Sequence, residues 1–274
     1  MPELPEVETI VRDIRPALVG RQLGRVSLSH DDILSGVTRR TLLRGLTGAT
    51  VQSVSRRAKH AVIDLGPRRL VVQPGMTGSL IVYDRPLTEE ERRYAVLRAP
   101  LDDGRELVYR DVRRIGKLRL LDAAGWRRYS EAIGPEPLAP DFTAERLGQA
   151  LGRSRQAVKK VIMDQRHLAG VGNIYANEAL FAAGIDPSKP ALRLTPDDHR
   201  RLHAEIQRIL EAAIASSGTT VRDYRTGTGE PGNFQLELLV YGRDGEPCRR
   251  CGTRLTGTHL IDARISVFCH RCQS

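Results

Sequence analysis

No run of apolar residues in this chain is long enough to cross a membrane as a helix, which excludes a helical membrane protein. The first residues are acidic where a secretory signal would be basic and then apolar, so export is not expected and the cytoplasm is. Cysteine is absent before position 248, so no disulfide framework holds the body of the chain. No internal repeat is evident, and acidic residues are in deficit, 33 against 43 Lys and Arg. That leaves a formal charge of +10 and a pI near 9.9. The balance points to a polyanionic partner, although a generic basic protein can carry the same charge, so the motifs must decide. At 274 residues there is room for one large domain or two modest ones, each able to bury a core.

The motif with most chemistry is the opening MPELPEVE. Removal of Met1 before a small residue makes Pro2 a terminal secondary amine, which can attack an aldehyde and form an iminium ion that needs no proton for its charge. Val7, Ile10, Val11 and Ile14 fall on one helical stripe, with Pro5 suited to the first turn and Glu6 and Glu8 beside it. A helix therefore begins almost at the amine. Its positive end disfavours an ammonium there, and Glu3 and Glu6 offer carboxylates for proton transfer or orientation. The same residues also suit an ordinary helix with a proline-rich lead-in.

From about residue 20 to 125 the pattern is mostly strand. Segments 21–28 and 50–54 alternate, 61–65 and 70–72 are short apolar runs, and Asp103-Gly104 is a turn between strands over 94–98 and 106–110. Such punctuation predicts a sandwich or barrel packed by the N-terminal helix. The proline-rich segment 134–140 is the candidate linker. Beyond it the period turns helical, over 143–151, 155–164, 173–183 and 195–216, the last opened by Thr195 and closed by Gly218. A glycine-rich loop, 226–232, precedes the tail.

Several cations and apolar residues fall at turns. Lys59 follows Arg56-Arg57-Ala58, either as a contact for phosphate or an acid, or as part of a solvated basic hairpin. Met76 lies in the tight loop 73–78, where a methionine is ordinarily core. Arg113 and Ile115 sit in Asp-Val-Arg-Arg-Ile-Gly, a composition suited to an apolar wedge beside a cation that reaches base edges, or to a plain surface turn. Gly170-Val171-Gly172-Asn173 separates two helices. It predicts close backbone approach and an asparagine-capped helix start able to hold phosphate, with Arg155 and Lys159 on the preceding helix, though an ordinary helix corner has the same composition. The tail carries Cys248-x-x-Cys251 and Cys269-x-x-Cys272 around a spacer that can form a hairpin, the spacing of a closed, structural four-thiolate zinc site.

These motifs, in this order, resemble the bacterial formamidopyrimidine-DNA glycosylases over nearly the whole chain. The MPELPEVET start and the DQRHLAGVGNIYANEALFAAGID stretch carry most of the likeness. The resemblance implies an α+β multidomain fold: a catalytic β-sandwich with its N-terminal helix over 1–134, a helical helix-two-turn-helix domain over 141–235, and a zinc finger over 239–274. It implies a monomeric bifunctional glycosylase and AP lyase, associated with the nucleoid through double-stranded DNA, that flips out and excises oxidised purines and cleaves the strand by β,δ-elimination. Pro2 would be the Schiff-base nucleophile and Glu3 the acid that opens the sugar, with Lys59 and Arg264 serving the two eliminations. Asn173, Lys159 and Tyr241 would hold phosphates, the 226–232 loop would close over the base, and Tyr94 and Arg155 are weaker matches. Family members usually have histidine at Gln73, leucine at Pro74 and phenylalanine at Ile115; these departures leave the chemistry intact and bear on lesion preference and opposite-base selectivity, with selectivity for lesions opposite cytosine still expected from Arg113. The rivals are an endonuclease VIII-like enzyme for oxidised pyrimidines, against which the PELPEVE start argues, and a noncatalytic damage-binding protein, against which intact Pro2, Glu3 and Lys59 argue.

Overall fold

The computed structural model describes residues 1–220 and 224–274, which divide into two compact units, Met1–Glu131 with Ile214–Gln235 and Ala132–Ala213 with Leu236–Ser274. No helix among the described residues is long and apolar enough to cross a membrane.

In the first unit the N-terminal helix α1 (Leu4–Leu18) is followed by β1 (Ser27–Leu28), α2 (Arg39–Leu46), β2 (Ser53–Arg57), β3 (His60–Asp64), β4 (Arg68–Gln73) and β5 (Gly78–Tyr83). Then come α3 (Glu89–Tyr94), β6 (Ala95–Pro100), β7 (Glu106–Asp111), β8 (Lys117–Asp122) and α4 (Ala123–Glu131). The strands form two antiparallel four-stranded sheets, in the orders β1-β6-β7-β5 and β2-β3-β4-β8. One buried cluster joins them: Ile63, Leu70 and Val72 from one sheet, Leu80, Leu97 and Leu107 from the other, and Val7, Ile10, Val11, Ile14 and Leu18 from α1. The α1 stripe read from the sequence is thus the helix's core-facing side. The expected strand over 21–28 is shorter, because Gln22 and Leu23 make only isolated bridges to Thr50 and Leu101. Helix α2, capped by the Thr38 side chain, has no counterpart in the strand pattern.

The sequence grouped 214–235 with the helical segment, whereas this stretch belongs to the first unit. The cause is polar anchoring on α1: the Thr219 N–H donates to Glu6 Oε1 at 2.8 Å, the Tyr224 hydroxyl to the Glu6 carbonyl at 3.2 Å, and the Gly227 N–H to Asp13 Oδ2 at 2.9 Å.

The second unit contains α5 (Ala144–Leu151), α6 (Val158–Met163), α7 (Asn173–Ala183), most of α8 (Pro196–Ala215) and the hairpin of β9 (Thr256–Thr258) with β10 (Ser266–Phe268). Helix α6 starts three residues later than its apolar pattern suggests. Residues 156–158 are engaged instead with 189–191: Val158 N–H donates to the Lys189 carbonyl, Ala191 N–H to the Gln156 carbonyl, and Ala157 bridges Pro190. Arg155 therefore lies exposed in the preceding loop and not on the helix. At α7 the cap is Gly172 and Asn173 is the first helical residue, a correction to the expected asparagine cap. The Cys248 and Cys269 side chains pack with Phe181, Val240, Leu255 and Val267 in a small core of their own.

Candidate catalytic site and nucleic-acid interface

Pro2 and Glu3 are buried, with Glu3 at the cap position of α1. Glu6, one turn on and 2% exposed, is the hub of this corner. Its Oε2 accepts the Glu3 N–H at 2.8 Å and its Oε1 the Thr219 N–H at 2.8 Å, so one carboxylate fixes both the start of the chain and the segment after α8. Such anion-to-amide bonds are the stronger class of hydrogen bond, and their place at a helix N-terminus adds the attraction of the dipole. With Met1 in place the Pro2 nitrogen is an amide. The Met1 sulfur lies 3.8 Å from the Gln73 side-chain nitrogen, at the end of β4.

Lys59, 5% exposed, occupies the two-residue turn between β2 and β3, where Ala58 takes a left-handed φ of 51°. An ion pair between Arg56 and Glu8 at 3.0 Å sets the first turns of α1 against the end of β2. Thus the N-terminus, Lys59 and Gln73 share one end of the sheet. Next to Lys59, His60 is held neutral at ordinary pH, with burial pulling its pKa down to about 4. Its ring nitrogens meet the Arg57 carbonyl at 3.0 Å and the Tyr129 hydroxyl at 2.9 Å.

Beyond β4 and β7, two turns carry the residues expected to form the wedge. Met76 is 40% exposed and Ile115 45%, and Arg113 is exposed too. The turns rest on each other with no room for added atoms. A Cβ on Gly75 would come within 2.7 Å of Ile115 Cγ1 and 2.8 Å of the Gly116 nitrogen; one on Gly78 would reach the Tyr109 hydroxyl at 2.7 Å, and one on Gly116 would overlap that hydroxyl. Tyr109 is fully buried, and burial raises its pKa. Tyr94 ends α3, half-buried, with the Arg93 guanidinium 5.6 Å from its ring centre. The 226–232 loop is packed against α1, where a Cβ on Gly227 would come within 2.6 Å of Asp13 Cβ.

In the second unit Asn173 is half-exposed at the start of α7, where the helix dipole is positive. Lys159 is placed otherwise than a phosphate contact requires. It is fully buried, and its ammonium donates to the Ile265 carbonyl at 2.9 Å and Ser266 Oγ at 2.7 Å. Glu178, 3% exposed, accepts the consecutive N–H groups of Leu239, Val240 and Tyr241 at 2.9, 2.9 and 2.7 Å, which fixes the backbone of Tyr241. Burial raises the Glu178 pKa and the three amides oppose the rise. Arg264 sits between β9 and β10 with an exposed guanidinium, 3.3 Å from Asp262.

The four cysteine sulfurs lie within 4.8 Å of one another, with Cys251–Cys269 at 3.6 Å and Cys248–Cys272 at 3.9 Å. A tetrahedral ion with metal–sulfur bonds of about 2.3 Å needs sulfurs about 3.8 Å apart, so the cluster fits a metal ion.

Sequence reading missed Glu178, Tyr109 and Asp111. Glu178 lies inside an apolar helix run, and a charged residue there is the one signal that could have flagged it.

Comparison with known proteins adds to this geometry. A family model described as Formamidopyrimidine-DNA glycosylase N-terminal domain matches residues 1–118, and one described as Formamidopyrimidine-DNA glycosylase H2TH domain matches residues 133–225. The chain is 44% identical over 273 residues to the formamidopyrimidine-DNA glycosylase of Stutzerimonas stutzeri (strain A1501), covering 100% of both. Among solved structures it is similar to a Lactococcus lactis FPG mutant in complex with a Fapy-dG containing DNA, with a TM-score of 0.89, 32% identity and 100% of both chains covered. It is similar to the same degree, TM-score 0.89, 32% identity and 100% of both chains, to MutM in complex with carbocyclic 8-oxo-G containing DNA.

Proposed function

The chain belongs to the formamidopyrimidine-DNA glycosylase family, and from that premise we propose how its own residues carry the reaction. It is a DNA glycosylase of base excision repair with AP lyase activity, acting on DNA that contains oxidised purines. The observation that carries the assignment is the buried Pro2-Glu3 start, clamped by Glu6 at the positive end of α1 and sharing a sheet end with Lys59.

Once Met1 is removed, the Pro2 amine attacks C1′ of the extruded nucleotide. The bond to the damaged base breaks, and its electron pair leaves with the base, which takes up a proton. Glu3 delivers a proton to the ring oxygen as the C1′–O4′ bond opens, and the proline nitrogen supplies the electron pair of the iminium. The iminium acidifies C2′. Loss of a C2′ proton expels the 3′ phosphate, and a second elimination expels the 5′ phosphate, with Lys59 assigned to the first step and Arg264 to the second. Glu6 holds Glu3 in place. Asn173, Tyr241, Arg155 and Tyr94 bind the DNA backbone. Met76, Ile115 and Arg113 fill the gap left by the base, and the Arg113 guanidinium donates to the acceptor edge of an orphaned cytosine.

Cys248, Cys251, Cys269 and Cys272 would hold one zinc ion. Bound there, zinc supplies folding energy to the finger and no chemistry to the reaction, because four thiolates leave it no open position.

Borohydride trapping tests the nucleophile. Protein beginning at Pro2 is expected to form a covalent complex with an oxidised-purine duplex, Pro2→Gly to trap weakly, and protein retaining Met1 not at all. Full trapping with Met1 retained would show that Pro2 is not the nucleophile.

A further inference from the structure

The two wedge turns are joined by a carboxylate that the chemistry above does not use. Asp111, the last residue of β7, is 1% exposed. Its Oδ1 accepts the Thr77 hydroxyl at 2.5 Å, and its Oδ2 accepts both the Tyr109 hydroxyl at 3.0 Å and the Gly116 N–H at 2.8 Å. The Thr77 oxygen in turn accepts the Arg113 N–H at 3.0 Å, and the Tyr109 oxygen lies 3.4 Å from the Gly75 N–H. One carboxylate therefore grips the turn that bears Met76 at Thr77 and the turn that bears Arg113 and Ile115 at Gly116, with Tyr109 of β7 as its third partner. Thr77 is the only link among these that runs from the first turn to the backbone of Arg113 itself.

We propose that Asp111 and the Thr77 hydroxyl are positioning residues that lock the two turns into one wedge, so that the reading of the partner base by Arg113 depends on them. The proposal rests on the reading of Arg113 given above. Its physical basis is that a guanidinium discriminates base edges only when its backbone is held to within a fraction of an ångström, and a misplacement of about 1 Å can cost about a hundredfold in rate. The Val-Arg-Arg-Ile turn is exposed; the Arg114–Asp32 ion pair at 2.8 Å and the seat of Ile115 on Gly75 hold its second half, and neither reaches the Arg113 N–H. The buried carboxylate supplies that precision through charge-assisted bonds.

Thr77→Val keeps the shape of the side chain and removes the hydroxyl, which strands one Asp111 oxygen and the Arg113 N–H; Thr77→Ser keeps the hydroxyl. The measurement is single-turnover excision of 8-oxoguanine opposite cytosine and opposite adenine, and the readout is the ratio of the two rates. A defect of folding or general binding lowers both rates in proportion and leaves the ratio. Loss of one such buried hydrogen bond should lower the ratio about tenfold in Thr77→Val, while Thr77→Ser stays within about twofold of wild type. A wild-type ratio retained in Thr77→Val, or lost equally in Thr77→Ser, overturns the proposal alone. If the unaltered chain excises with no preference for the partner base, the reading of Arg113 fails, and the proposal falls with it.

Discussion

Lys159 offers a direct test of whether burial, and not charge, decides what a lysine does. Its ammonium is out of water and satisfies the Ile265 carbonyl and the Ser266 hydroxyl, both next to the Arg264 turn. Replacement by methionine keeps the length and apolar stem and strands two acceptors at about 1–3 kcal/mol each. Relief of the buried charge and the added apolar contact offset part of that loss, so the net cost should be about 2 kcal/mol, roughly thirtyfold in the local opening equilibrium. Hydrogen exchange reads this cost at the Val267 amide, which donates to Asn177 Oδ1 at 2.8 Å and reports on β10. DNA affinity should fall too, because the Arg264 turn loses its support. Its salt dependence should not change. A lysine that neutralises a phosphate contributes about 0.9 to the slope of log affinity against log salt. We therefore expect Lys159→Met to keep the wild-type slope. A slope lower by about 0.9, with Val267 protection intact, would refute the reasoning and return Lys159 to the phosphate backbone.

Arg113→Ala should flatten the preference for lesions opposite cytosine, and Ile115→Phe should tighten lesion binding through stacking worth about 1–3 kcal/mol without changing partner preference; single-turnover excision opposite each of the four bases checks both. Metal analysis should find one zinc per chain, and replacing Cys251 and Cys272 with serine should abolish it and weaken DNA binding while Trp126 fluorescence, which reports on α4 in the first unit, stays native. His60 sets a pH dependence. The unfolded ring titrates near 6.5 and the folded one near 4, so the unfolded chain gains a proton first, and stability falls as pH drops through that window and levels off below it. The loss between pH 7 and 5 should be about 2 kcal/mol and should shrink in His60→Phe, as read from urea midpoints.

The parts legible in the sequence are those whose cause is local. The α1 stripe from Val7 to Ile14 and the paired Cys-x-x-Cys units each declare themselves by spacing, and both are found where the spacing put them. Asn173 was named at the right corner, but the cap fell to Gly172 because the chain there is extended one residue earlier than composition suggested. Lys159 and Arg155 were misjudged for a different reason. Whether a lysine in Val-Lys-Lys-Val is solvated depends on Ile265 and Ser266, far along the chain, and the late start of α6 depends on residues 189–191. Asp111 was invisible because the partner that ties it to the other turn, Thr77, lies 34 residues away.

The crowding around Tyr109 separates what can drift in evolution from what cannot. A side chain at position 78 or 116 would meet both the Tyr109 hydroxyl and backbone atoms, and one at 75 would meet Ile115, Asp111 and the Gly116 backbone, so a single change at any of the three must move a neighbouring turn. Met76 and Ile115 are half-exposed, so the outer part of either side chain can change, although Ile115 also rests on Gly75. Substitutions confined to the exposed ends of these two side chains can therefore alter that surface without rebuilding the scaffold that spaces the two turns.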